Sequence, residues 1–93
     1  MEPLFAWNPS KATSNLAKHG VDFSEAAGVF RDRLSITVPD PMHSDREQRF
    51  ITIGVSTRRR LLVVVHTDDR DRIRIISARR ATRLERKRYE ESS

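Results

Sequence analysis

The sequence predicts an α+β domain: an N-terminal helical hairpin packed on a mostly antiparallel sheet of about four strands, with a C-terminal helix. Three observations carry this prediction. Four stretches of strand length follow one another between Leu34 and Ala78, separated by short polar turns. Phe23, Ala26, Ala27 and Phe30 repeat at helical spacing, just after a first helix-like stretch. Thr82 and Glu85 stand three apart at the start of a final polar segment, the spacing of a helix capping box. With 93 residues there is room for a single domain, spanning 1–93, around one modest core.

Each element follows from local chemistry. Leu4 to Trp7 is a short edge strand with Phe5 and Trp7 on one face. Asn8 caps and Pro9 opens a helix that runs to about His19 and stops at Gly20. Its thin apolar face is Ala12, Leu16 and Ala17. Asp22 and Glu25 form a capping box for a second helix, with Val21 stapled onto Ala26. Leu34, Ile36 and Val38 alternate with polar residues as a half-buried strand that Pro39 ends. Residues 39–48 are polar with two prolines and form a loop. Arg49 to Val55 is a strand with Ile51, Ile53 and Val55 on one side, and Ser56 to Arg59 turns the chain. Leu61 to Val65 is apolar on both faces, the mark of a central strand. Asp68 to Asp71 is a hairpin turn, and Arg72 to Ala78 returns antiparallel. The last helix runs from the Thr82 cap to about Glu91.

Charge is concentrated in one place. Arg72 to Tyr89 carries a net +7 while the whole chain carries +5, so the remaining residues sum to about −2. A local cationic field beside a strand and a helix points to nucleic acid as the leading partner, ahead of acidic lipid or an acidic protein. The chain has no cysteine, which excludes disulfides and thiolate metal sites. The start MEPLFAWNP lacks the basic beginning and apolar run of a signal peptide, and no apolar run reaches membrane-spanning length. A cytoplasmic protein is expected.

Several stretches resemble the BrnT family of bacterial ribonuclease toxins. In the N-terminal half these are Phe5-x-Trp7, Lys11, Asn15, Lys18-His19-Gly20-Val21, Phe23, Glu25-Ala26 and Val29-Phe30. In the C-terminal half they are Leu62 to Thr67, Arg74-Ile75-Ile76-Ser77-Ala78-Arg79, Ala81, Glu85-Arg86 and Tyr89. The resemblance implies a RelE-like fold and a metal-independent endoribonuclease without cofactor. It also implies a ribbon-helix-helix antitoxin as partner, two toxins with two antitoxins, with operator DNA bound only through the antitoxin. Asn8 stands where the family commonly has Asp. Asp69 and Arg70 stand where it often has a turn arginine.

Metal-free RNA cleavage needs a base for the 2′-hydroxyl, cations for the phosphate and an acid for the leaving 5′-oxygen. His66, at the end of the central strand, is the candidate proton carrier, against a plain reading as a buried strand terminus. A four-residue turn pairs it with Ile73, whereas a three-residue turn with a bulge sets it opposite Arg74. Arg79 and Arg83 flank the start of the last helix as phosphate ligands, or else pair with Asp32 or Asp45. Glu85 and Tyr89 share a helix face and complete the catalytic set, Glu85 doubling as a cap and Tyr89 as packing. Lys18, His19, Arg74 and Arg86 are the substrate-binding candidates. Asp40, His43, Asp45 and Glu47 are read as a solvated loop, so no metal site is expected. The alternative function is a non-catalytic RNA-binding module using the same patch, with an acidic-peptide-binding domain third.

Overall fold

The computed structural model describes residues 4–41 and 47–92. The chain runs through β1 (Leu4–Ala6), α1 (Pro9–His19), α2 (Phe23–Ala27), a 3-10 turn (Gly28–Arg31), β2 (Ile36–Pro39), β3 (Arg49–Val55), β4 (Leu61–Asp69), β5 (Arg72–Arg80) and α3 (Arg83–Ser92). The strands form one sheet in the order β1-β5-β4-β3-β2, so β4 is central as its apolar run requires.

The sheet has five strands and is mixed, where about four mostly antiparallel strands were expected. The fifth is β1, which lies parallel to β5 with Phe5 beside Ile73. This pairing places Phe5 and Trp7 against the main core of Val21, Phe23, Ala26, Val29, Leu62, Val64, Ile75 and Ala78. The α-helices α1 and α2 cover that face. On the opposite face a smaller cluster of Ile53, Leu61 and Val63 is flanked by Ile51, Val55, Ala81 and Tyr89, the last from α3. No residue of α3 is buried. No helix among the described residues is long and apolar enough to cross a membrane.

The helical hairpin also needs correcting. The α2 helix is only five residues long and tightens at once into the 3-10 turn. Here the chain passes close to the β3–β4 turn: a Cβ on Gly28 would lie 2.7 Å from the Thr57 methyl group. The Asp22 carboxylate accepts from the Glu25 N–H at 2.7 Å, the first half of the expected box. Glu25 does not return the bond, because its carboxylate is engaged by Ser56 and Arg60. In α1 the predicted apolar residue Leu16 is 50% exposed, and the buried member is Asn15. The α1 ends are as expected: Asn8 accepts from the N–H groups of Ser10 and Lys11, and Gly20 takes a left-handed φ of +69°.

Two further boundaries shift. Leu34 is 54% exposed and precedes the strand, because its N–H is drawn to the Asp32 carboxylate instead of a neighbouring strand. The β4–β5 turn is two residues, Arg70 and Asp71, with Arg70 at φ +59° and Asp69 opposite Arg72. A register shift at Val65/His66 leaves Ile76 as an extra residue on β5, so His66 lies opposite Ile75. Neither register anticipated for His66 occurs. Residues paired across antiparallel strands share a face, and faces alternate along a strand. His66 and Ile75 therefore face the helices, while Arg74 and Arg79 face the other way.

Candidate nucleic-acid interface

Two segments far apart in sequence meet at one end of the sheet. Asn15, 7% exposed, projects from α1 onto the edge of β5. Its side-chain amide donates to the Ala78 carbonyl at 2.8 Å and the Val21 carbonyl at 2.9 Å, and its oxygen accepts from the Ala78 N–H at 3.1 Å. This bonding sets the Lys18-His19-Gly20-Val21 turn beside the Ile-Ser-Ala-Arg segment. A second brace comes from the β3–β4 turn. Arg60 donates through Nη2 to the Gly20 carbonyl at 2.9 Å and through Nε to Glu25 at 2.9 Å. Glu25 is 4% exposed, and the Arg60 bond holds its carboxyl below the usual range against the effect of burial.

The same end gathers positive charge. Lys18 and His19 close α1, where cations meet the negative end of the helix. Arg80 lies opposite Leu62, so it projects on the α1 side of the sheet. Arg79 lies opposite Val63 and projects on the α3 side. Arg83 and Arg86 follow on the exposed first turns of α3.

Arg79 does not pair with Asp32, which is taken by Tyr89, and Asp45 lies outside the described residues. Arg79 makes two parallel bonds of 2.8 Å to Glu85. Glu85 also completes the Thr82 capping box, accepting from the Thr82 N–H at 2.8 Å while the Thr82 hydroxyl accepts from the Glu85 N–H at 3.2 Å. Chiefly through the Arg79 bond, the Glu85 carboxyl is held down at about 2. Tyr89 donates to Asp32 at 2.6 Å, and burial together with that bond pushes its phenol up to about 12. Burial works to raise Asp32, but the bonds from Tyr89, Val55 and Leu34 outweigh it and hold it low. Both α3 candidates for proton transfer are thus engaged in anchoring α3.

His66 lies elsewhere. It is 3% exposed on the helix-covered face, edge-on to Phe30 and stacked near Phe50. Its Nε2 is 2.8 Å from the Thr52 hydroxyl, which is itself 2.8 Å from that of Thr37. Burial lowers its pKa from the ordinary 6.5, and Asp68 only partly opposes this. Arg74 sits at the hairpin end of β5, bonded to Glu47 at 2.6 Å. The predicted residues therefore divide into three groups. Lys18, His19, Arg79, Arg83, Glu85 and Arg86 gather at one end, with Tyr89 further along α3. Arg74 is at the other end, and His66 is inside. Of the loop carboxylates and histidine, His43 and Asp45 lie outside the described residues. Among the described residues no three His, Asp or Glu side chains converge as metal ligands.

Sequence reasoning passed over Asn15, Arg60 and Arg80 as parts of this end. Asn15 carried a signal, a lone polar residue among the apolar positions of α1. Arg80 carried none, because the strand expected from the sequence stops at Ala78, two residues short of it. Nothing in the sequence links Arg60 to Gly20.

The crystal structure of the Brucella abortus ribonuclease toxin BrnT is similar to this chain, with a TM-score of 0.65 and 27% identity over 86% of this chain and 99% of that one. No curated protein matches the chain in sequence. The model of the ribonuclease toxins BrnT of type II toxin–antitoxin systems matches residues 7–85. That span takes in every element from α1 to the first turn of α3, including both segments joined by Asn15, and the chain belongs to this BrnT family.

Proposed function

We propose that the chain is a metal-independent endoribonuclease toxin that cuts RNA at the cationic end, and thereby arrests translation and growth in the cytoplasm. The observation that carries this reading is the Asn15 clasp, which sets Lys18-His19 beside Arg79-Arg80. Lys18 and Arg80 hold the scissile phosphate from the α1 side, while Arg83 and the Glu85-paired Arg79 meet flanking phosphates from the α3 side, since arginine stays charged and its planar fork matches phosphate oxygens. His19 takes the proton from the 2′-hydroxyl as O2′ bonds to phosphorus. The bond to O5′ breaks, and a protonated group or water supplies the proton to the leaving oxygen. The products are a 2′,3′-cyclic phosphate and a free 5′-hydroxyl. His19 replaces His66 in this role because His66 is only 3% exposed, enclosed among Thr52, Phe30 and Phe50. A ribbon-helix-helix antitoxin, two copies against two toxins, neutralises the activity and carries the pair to operator DNA.

The test is incubation of labelled RNA with the purified chain in excess chelator, beside a His19→Ala, Arg80→Ala variant and a His66→Gln variant. Cleavage by the parent and by His66→Gln, with a loss of about 100-fold or more in the double variant, is the expected result. Cleavage undiminished in the double variant would move the site. Intact RNA that is nevertheless retained by the parent would favour the non-catalytic binding module, which the same cationic end serves equally well.

A further inference from the structure

At the opposite end of the sheet a pocket of about 370 Å³ opens beside the β4–β5 turn, where Glu47, Phe50, Asp68, Asp69 and Arg74 line it together with the neutral Gln48 and Thr67. Its chemistry contrasts with the rest of this basic protein: three carboxylates, one guanidinium and an aromatic wall. Arg74 already neutralises Glu47 at 2.6 Å, so the carboxylates left to act on a ligand are those of Asp68 and Asp69. The Asp68 side chain is 58% exposed and stands in front of a buried group that lacks a hydrogen-bond partner. That group is His66 Nδ1, in a side chain only 3% exposed and 3.5 Å from Asp68 Oδ1. The chain Thr37–Thr52–Nε2 is satisfied when the Thr52 hydroxyl donates to Nε2, which leaves the ring proton on Nδ1, aimed at Asp68. A small inward movement of Asp68 would complete that bond and hold the carboxylate in one orientation. Behind the pocket the Phe50 ring rests near-parallel to His66, with centroids 5.9 Å apart.

We propose that this pocket is a base-recognition subsite that selects guanine in single-stranded RNA. The proposal rests on the ribonuclease reading above and adds its sequence preference. Guanine is the one standard base whose Watson–Crick edge offers two parallel donors, N1–H and the N2 amine. A carboxylate accepts both at once, as Asp68 does when backed by His66. Phe50 offers a ring for the base to stack on, the usual means of holding an unpaired base. Arg74 stands at the pocket on the Arg79 face of β5, whereas Phe50 and Asp68 belong to the His66 face, so a strand that follows β5 from the cationic end meets the base-holding residues where the two faces join at the end of the sheet. A cationic side chain of a protein partner fits less well, because it would meet the Arg74 guanidinium.

The experiment measures binding of fluorescein-labelled 2′-O-methyl oligouridines that carry a single guanine or a single adenine. The 2′-methyl group blocks cleavage, so binding is read alone. The parent should prefer guanine roughly ten-fold or more. Asp68→Asn should abolish or invert that preference, because an Asn amide presents one donor and one acceptor and so suits adenine. Asp68 is exposed enough for this change to leave the fold intact, which a melting curve checks. Equal binding of both oligomers by the parent, or an unchanged preference in Asp68→Asn, would overturn the proposal. Equal oligomer binding together with tight binding of an oligo-arginine peptide would overturn it in favour of a cationic protein segment. Cleavage assays on the unmodified RNAs separate the two readings. Guanine preference without cleavage removes only the ribonuclease reading, and cleavage without preference removes only the guanine pocket.

Discussion

His66 shows how burial can reverse the meaning of a residue. In solution an imidazole is half-charged near pH 6.5, but here burial favours the neutral ring. Its folded pKa lies below the unfolded value, so its contribution to stability is complete above about 6.5 and is lost as pH falls below that. Denaturation midpoints of the parent should drop between pH 7.5 and pH 5.5, and the drop should shrink in His66→Gln. Glu85 has the same sign at lower pH. Its carboxyl falls from 4.5 to about 2 on folding, so its contribution is complete above 4.5 and fades between 4.5 and about 2. Because the Arg79 side chain is 42% exposed, solvent screening limits this contribution to about 1 kcal/mol. Acid unfolding of Glu85→Gln should lack that share of the slope.

Among the elements, the contact between α1 and β5 depends on one side chain. Replacing Asn15 by Ala strands the Ala78 N–H and two carbonyls in the interior, at a cost of about 2–3 kcal/mol by urea denaturation. Order and type of the elements were legible in the sequence because their signals are local: the Asn8-Pro9 start, the Gly20 stop, the Thr82–Glu85 box and the apolar run of β4. The parallel pairing of β1 with β5 was not, since a three-residue strand shows its edge character but not its neighbour. The His66 facing was lost to a single extra residue, Ile76, which periodicity cannot reveal. The same limit applies to the site. Its arginines were visible as a charge run, whereas their separation into Arg79 on one face and Arg80 on the other required a strand that runs on past Ala78 to Arg80.

For the whole molecule, net charge understates the field an RNA meets. At the cationic end Glu25 and Glu85 are held in ion pairs, and Asp22 caps α2. RNA affinity should therefore fall steeply with salt. Arg80→Ala should lower the slope of log K against log salt by about 0.7, the single-strand value for one phosphate contact. A titration series from low to moderate salt measures this, and an unchanged slope would place Arg80 outside the phosphate path.

The clasp between Asn15 and Ala78 spans 63 residues of chain. Closing so long a loop costs entropy before any bond repays it, and such contacts form late in folding. During vectorial synthesis His19 emerges long before Arg79 and Arg80, and β1 must wait for β5 to have a neighbour at all. A growing polypeptide therefore holds the halves of its cationic end apart until β5 has been made, and that end is assembled only after Arg80 has emerged.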